Sequence, residues 1–178
     1  GRQRRVERVV VYRITTRRAL QRLFWPTSEE GMKTRVRELA GPYLDGRPLA
    51  GREKYYRLTP EAARMVGEGS LTEPLGAQAL ARAYALLAYC CLLEGTRVRY
   101  LAEEFAADFP DLFAADPAFD KHDFVLDESP DGERRLVRVL LDYGADVSSV
   151  TRKCRRVARE LAGSSAFKAH IDEGRLTV

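Results

Sequence analysis

Residues 15–58 read TTRRALQRLFWPTSEEGMKTRVRELAGPYLDGRPLAGREKYYRL, and the order of signals within them decides the fold. Thr15 or Thr16 suits the cap of a helix that puts Ala19, Leu20, Leu23 and Phe24 on one side. Pro26 stops it, because proline lacks the amide the helix ladder needs. Thr27 or Ser28 caps a further helix, with Glu29 and Glu30 in the first turn, where the helix dipole favours negative charge. Met32, Val36, Leu39 and Ala40 form its buried face, and Gly41-Pro42 ends it. From Tyr43 to Leu58 the period changes to short extended pieces: Tyr43-Leu44, a polar Asp45-Gly46-Arg47-Pro48 turn, then Gly51 to Lys54 leading into Tyr55-Tyr56-Arg57-Leu58. That is the chemistry of a hairpin.

Upstream, Val6, Val9, Val10 and Ile14 share one helical face, so a first helix is expected over residues 3–13, with a strand over 9–13 as the competing reading. Downstream, Thr59-Pro60-Glu61 restarts a helix, with Thr as cap and Pro at the first helical position. Leu75, Ala79, Leu80, Ala83, Leu86, Leu87, Cys90 and Cys91 make a long apolar stripe, and Val98-Arg99-Tyr100-Leu101 is read as the start of a second helical piece running to Phe109. A loop is expected over Asp111–Lys121. Phe124-Val125-Leu126 and Leu136–Leu141 flank a Ser129-Pro130-Asp131-Gly132 turn and read as a second hairpin. Ser148 or Ser149 caps a helix with Val150, Cys154, Val157, Ala158 and Leu161 on one face and Arg152, Lys153, Arg155, Arg156 and Arg159 on the other. Gly174–Val178 closes as an incipient strand. The fold class implied is α+β: a winged helix-turn-helix over 1–68, then, over 69–178, a helical connector and a small α/β region.

Charge divides the 178 residues unevenly. The net +4 hides a first third, residues 1–59, at +9 and a remainder at −5, and such asymmetry points to an electrostatic partner for one part of the chain. No run of apolar residues is long enough to span a membrane and the Arg-rich start lacks the apolar stretch of a secretory signal, so a cytoplasmic protein with no membrane partner is expected. Three cysteines, two of them adjacent, build no disulfide framework and match no zinc spacing. With only His122 and His170 beside them, no metal, other cofactor or catalytic residue is assigned. There is no nucleophile turn and no phosphate-cradling glycine loop.

Three short helices followed by a ribbon is the order in which a winged helix places its third helix in the major groove and its hairpin on the adjacent backbone. Lys33, Thr34, Arg35 and Arg37 are the candidates on the third helix for base edges or the groove; Thr16, Arg17, Arg18 and Arg22 are those on the preceding one for phosphates, and Arg52, Lys54 and Arg57 those on the ribbon. The expected partner is double-stranded DNA, held by roughly four to six phosphate contacts. The apolar 79–93 helix is a candidate homodimer face, because many such readers bind two-fold sites. The basic helix over 149–163 is read as a solvated face or as paired with the acidic stretch 103–133, with an auxiliary DNA contact as the competing reading.

The Tyr55–Thr59 step from wing strand into capped helix, taken with His122–Leu126, Val139–Gly144, Thr151-Arg152-Lys153, Phe167 and Gly174–Val178, resembles the replication-relaxation family of bacterial plasmids and mobile elements. The resemblance implies a winged helix joined to a degenerate restriction-endonuclease-like region. It also implies a role in transcriptional regulation or as an accessory to plasmid replication or transfer. In such a core Asp123 and Asp142 are the carboxylates of a Mg²⁺ site, but Leu140 stands where the family often has Glu, and no Lys follows Asp142 by two. Two alternatives remain: a Mg²⁺-dependent nuclease or nickase, and a protein-interaction module with a basic N-terminus.

Overall fold

A computed structural model describes residues 11–25, 28–67 and 69–178. The fold is mixed α and β, and the chain divides into two compact units between Leu93 and Glu94. Most of the expected first helix lies outside the described residues. Val11 and Tyr12 are helical, and the left-handed backbone of Arg13 (φ 63°) ends that helix.

In the first unit, the two-residue strand β1 (Thr15–Thr16) leads directly into α1 (Arg17–Phe24). Thr16 serves both, since its hydroxyl accepts from the Ala19 amide at 3.2 Å as the helix cap. After α1 comes α2 (Glu29–Leu39), capped by Ser28. The hairpin strands are β2 (Leu44–Pro48) and β3 (Lys54–Leu58), and α3 (Pro60–Met65) follows under a Thr59 cap. The sheet order is β1-β3-β2, antiparallel throughout, with Thr15 opposite Tyr56 and Leu44 opposite Leu58. Leu20, Met32, Val36, Leu44, Tyr56, Leu58, Ala62 and Ala63 form one buried cluster, so α1, α2, the hairpin and α3 share a core.

The hairpin reverses later than the sequence suggests. Asp45–Pro48 belongs to β2, and the turn falls at 49–53, where the Leu49 amide donates to the Glu53 carbonyl at 2.9 Å. Asp45 is held in register by Arg57 across the ladder, and Gly46 packs closely under the Tyr56 ring. A β-carbon there would come within 3.2 Å of the Tyr56 ring. The glycine signal was therefore a packing signal, and Gly51, at φ +57°, does the turning.

The helix α4 (Ala77–Cys91) belongs to this first unit and packs on α1, whereas the sequence placed the boundary at residue 68 and read this stretch as a connector. Leu86, Leu87, Cys90 and Cys91 are buried within the single chain, so the apolar face on which a dimer was expected is already occupied.

The second unit is built on a four-stranded sheet of order β4-β5-β6-β7: β4 (Thr96–Arg99), β5 (Asp123–Glu128), β6 (Arg134–Val139) and β7 (Leu176–Thr177). The first three strands are antiparallel; β7 returns parallel to β6 after α7 (Val147–Ala162) and α8 (Ser165–Asp172). The β5–β6 hairpin turns through Ser129–Glu133, as its Ser-Pro-Asp-Gly sequence predicts. Three expectations are corrected. Val98–Leu101 is not a helix start: residues 96–99 form β4, because Val98 pairs with Leu126 and Arg97 lies opposite Asp127 as its ion-pair partner, and α5 (Ala102–Asp108) begins only after them. The expected loop over Asp111–Lys121 holds α6 (Pro110–Ala115), whose Leu112 is fully buried, and a 3-10 turn at Phe119–Lys121. The cap of α7 is Asp146, which outcompetes the serines because a carboxylate accepts from the Ser149 amide and both serine hydroxyls at once. Those two hydroxyls hold its carboxyl well below the usual carboxylate range.

Aromatic rings fill the core of this unit. Phe105 has no exposed surface and touches Tyr100, Phe109, Phe119 and Phe124, with ring centroids 4.7–5.5 Å apart. Phe105→Ala is expected to cost about 3–5 kcal/mol, read by denaturant unfolding. His170 packs edge-on to Phe109, and burial, then Arg175, hold its pKa below the usual value. The depressed pKa means its contribution to stability is complete above the unfolded value, about 6.5, and is lost as pH falls through the folded one. His170→Gln should therefore flatten the loss of stability between neutral and mildly acidic pH, measured as the difference in unfolding midpoint from the parent.

Candidate nucleic-acid interface

The eleven side chains expected to meet DNA fall into three groups. Three are used by the fold. Thr16 is 5% exposed and caps α1. Arg22 points its guanidinium at the end of α4, donating to the carbonyls of Leu92 at 2.6 Å and Leu93 at 3.0 Å. Carbonyls at a helix C-terminus lack intrahelical donors, so a cation there both bonds and meets the negative end of the dipole. Arg57 is largely buried, bonded to Asp45 at 3.1 Å and to the Thr72 carbonyl at 3.2 Å. Burial alone would raise the Asp45 carboxyl, but hydrogen bonds from Arg47 and Arg57 outweigh it and leave the pKa lowered.

Two more cations are paired on α2 itself. Lys33 reaches Glu29 at 2.8 Å, and Arg35 reaches Glu38 at 2.5 Å. The first contact lowers the Glu29 pKa and raises that of Lys33, chiefly through the hydrogen bond they share. Such surface pairs are weak, and a phosphate is able to displace the carboxylate.

The remaining six, Arg17, Arg18, Thr34, Arg37, Arg52 and Lys54, are exposed, and among the described residues none of their side chains has a hydrogen-bond or ion-pair partner. They come from three elements. Arg17 and Arg18 stand at the start of α1, and Arg17 is close enough to influence both Glu29 and Lys33 at the start of α2. Thr34 and Arg37 lie on the side of α2 opposite its buried Met32 and Val36. Arg52 sits in the hairpin turn and Lys54 at the first position of β3. The same face of α2 carries Glu30 and Glu38, so it offers acceptors beside its donors, which suits base edges better than a uniform phosphate clamp.

In the second unit the two carboxylates that a metal would need are engaged elsewhere. Asp123, 5% exposed, bonds Arg99 at 3.0 Å, and Asp142 accepts from the amides of Gly144 and Ala145 at 3.1 and 2.8 Å. Lys153 donates to the Leu141 carbonyl at 3.0 Å rather than to either carboxylate. Among the described residues no three His, Cys, Asp or Glu side chains gather into a metal site, and no helix is long and apolar enough to cross a membrane. Asp116, 8% exposed, holds the Nδ1 of His122 at 2.8 Å, a contact that sequence spacing gives no means of anticipating.

Arg22 separates a structural from a binding role. Arg22→Gln should lower stability by about 1 kcal/mol and leave duplex affinity within twofold, as read by thermal unfolding and fluorescence anisotropy. Compared with protein-family models, curated proteins and solved structures, the chain matches none of them.

Proposed function

We propose that the protein binds double-stranded DNA through its first unit, used as a winged helix. One observation carries the reading. A strand, two helices and a hairpin are tied together by a β1-β3-β2 sheet, and exposed cations that pair with no carboxylate among the described residues project from α1, α2 and the hairpin. In a winged helix the second of those helices enters the major groove and the hairpin holds the neighbouring backbone. Thr34 and Arg37, with Lys33 and Arg35 after exchange of their glutamates, read the groove; Arg17, Arg18, Arg52 and Lys54 meet phosphates. The net charge of +9 over residues 1–59 supports the same assignment by attracting a polyanion to this end of the chain.

The resemblance of its motifs to the replication-relaxation family supports a role in a bacterial plasmid or mobile element, as a transcriptional regulator or an accessory to replication or transfer. Its location is then the cytoplasm, on the element's own DNA.

The test is a salt series of duplex affinities. Arg52→Gln with Lys54→Gln should weaken binding to all sequences alike and reduce the slope of log affinity against log salt by about 2. Thr34→Ala with Arg37→Ala should instead cost about 1–3 kcal/mol on the preferred sequence and narrow its lead over random duplex. Unchanged affinity in both double variants would sink the winged-helix reading.

A further inference from the structure

The second unit carries a basic surface that the first does not explain. Arg152, Arg155, Arg156 and Arg159 lie along one side of α7, opposite the half-buried Val150, Cys154, Val157 and Leu161. Their surroundings differ from those of the unit's other exposed arginines. Off this helix, Arg134 bonds Glu128, Arg135 bonds Glu133 and Arg175 bonds Glu173; even the half-buried Arg97 and Arg99 reach Asp127 and Asp123. On α7, among the described residues, Arg152 and Arg155 have no carboxylate within ion-pair distance. Arg159 donates to the Arg155 carbonyl, and Arg156 has only Glu160 of its own helix at 3.7 Å, with both side chains about two-thirds exposed.

The contrast is informative because carboxylates are abundant here. Residues 94–178 hold seventeen acidic and thirteen basic side chains, yet the expected pairing of this helix with the acidic stretch 103–133 is absent from the side-chain contacts of those four arginines. A net charge of +4 is concentrated on α7, counting Lys153 and Glu160, within a unit whose total is −4. Arginine rather than lysine at these four exposed positions favours bidentate contact with phosphate oxygens over simple solvation. Four residues of helix advance 6 Å, so Arg152 with Arg156, and Arg155 with Arg159, make two parallel pairs along a backbone-sized track.

We propose that the outward face of α7 is a second docking surface for nucleic-acid phosphate, contacting the backbone of duplex DNA without reading its sequence. The inference takes the identity of the polyanion from the function proposed above, but it stands on different residues and a different unit. Its purpose is added affinity and slower release, as expected when two surfaces on one chain share a polymer.

The full chain is used for the test, with labelled random-sequence duplex and fluorescence anisotropy over a salt series. Replacing Arg152, Arg155, Arg156 and Arg159 together by Gln should lower affinity at low salt at least tenfold and reduce the salt slope by about 2–4, whereas replacing all four by Lys should retain most of the slope. Gln is a good helix former, and circular dichroism with an unfolding curve verifies that the variant is folded. A folded quadruple Gln variant with the parent's affinity and slope overturns the proposal. A second background, with Arg17, Arg18, Arg37, Arg52 and Lys54 changed to Gln, separates the two surfaces. Residual salt-dependent binding that disappears when the α7 changes are added supports the α7 surface even if the first-unit changes alone have no effect. Loss of all binding in that background, with none from the α7 changes, overturns it and leaves the winged-helix reading standing. Tighter α7-dependent binding to polyglutamate than to duplex of equal charge overturns the choice of DNA as occupant.

Discussion

The pairing of Thr15 and Thr16 with Tyr56 and Tyr55 is the constraint on which the first unit depends. Two residues of strand are a small sheet edge, yet they fix the chain at the point where α1 begins, and the second of them caps that helix. Because β3 also pairs with β2, the start of α1 and both strands of the hairpin are referred to one central strand. Arg17, Arg18, Arg52 and Lys54 are therefore positioned by hydrogen-bonded backbone rather than by their own long and flexible side chains. The backbone at those positions is thus ordered by the sheet, while the charged ends of the exposed side chains remain free to move.

The polar residues divide by what the nearest backbone or carboxylate demands of them. Arg22 and Arg57 look like binding residues in the sequence because they are arginines in a basic segment. Each is taken up by oxygens of the fold: the carbonyls at the end of α4 for Arg22, and the Thr72 carbonyl and the half-buried Asp45 for Arg57. Lys33 and Arg35 are intermediate, paired but exposed. The second unit follows the same division, with Arg138 buried over the Phe124 ring at 5.1 Å while the arginines of α7 face outward.

Much of this was legible in the sequence where the signal is local. The helices α1, α2 and α3, with caps at Thr16, Ser28 and Thr59, follow from side chains that bond an amide three residues on. The β5–β6 hairpin follows from its turn residues. Misreadings arose where the deciding partner is distant in the chain. Val98 is a strand residue because Leu126 is beside it, and Asp45-Gly46 is extended because Tyr56 and Arg57 lie across from it. The partners of Arg22, about seventy residues away, carry no mark in the sequence at all. The outward period of Arg152, Arg155, Arg156 and Arg159 was plain; that no described carboxylate meets Arg152 or Arg155 required the fold.

The parallel strand β7 has a consequence for how the second unit is made. β6 has only one antiparallel neighbour until α7 and α8 have been traversed, and Leu176, 4% exposed, completes the aromatic core from the far end of the chain. During synthesis the first unit has all its strands by Leu58, whereas the sheet edge of β6 stays open until residue 177 has left the ribosome. Non-local closure of this kind is slow and leaves apolar surface uncovered in the meantime. Of the two halves, the later-made one thus has the greater need of chaperone cover while the chain is nascent.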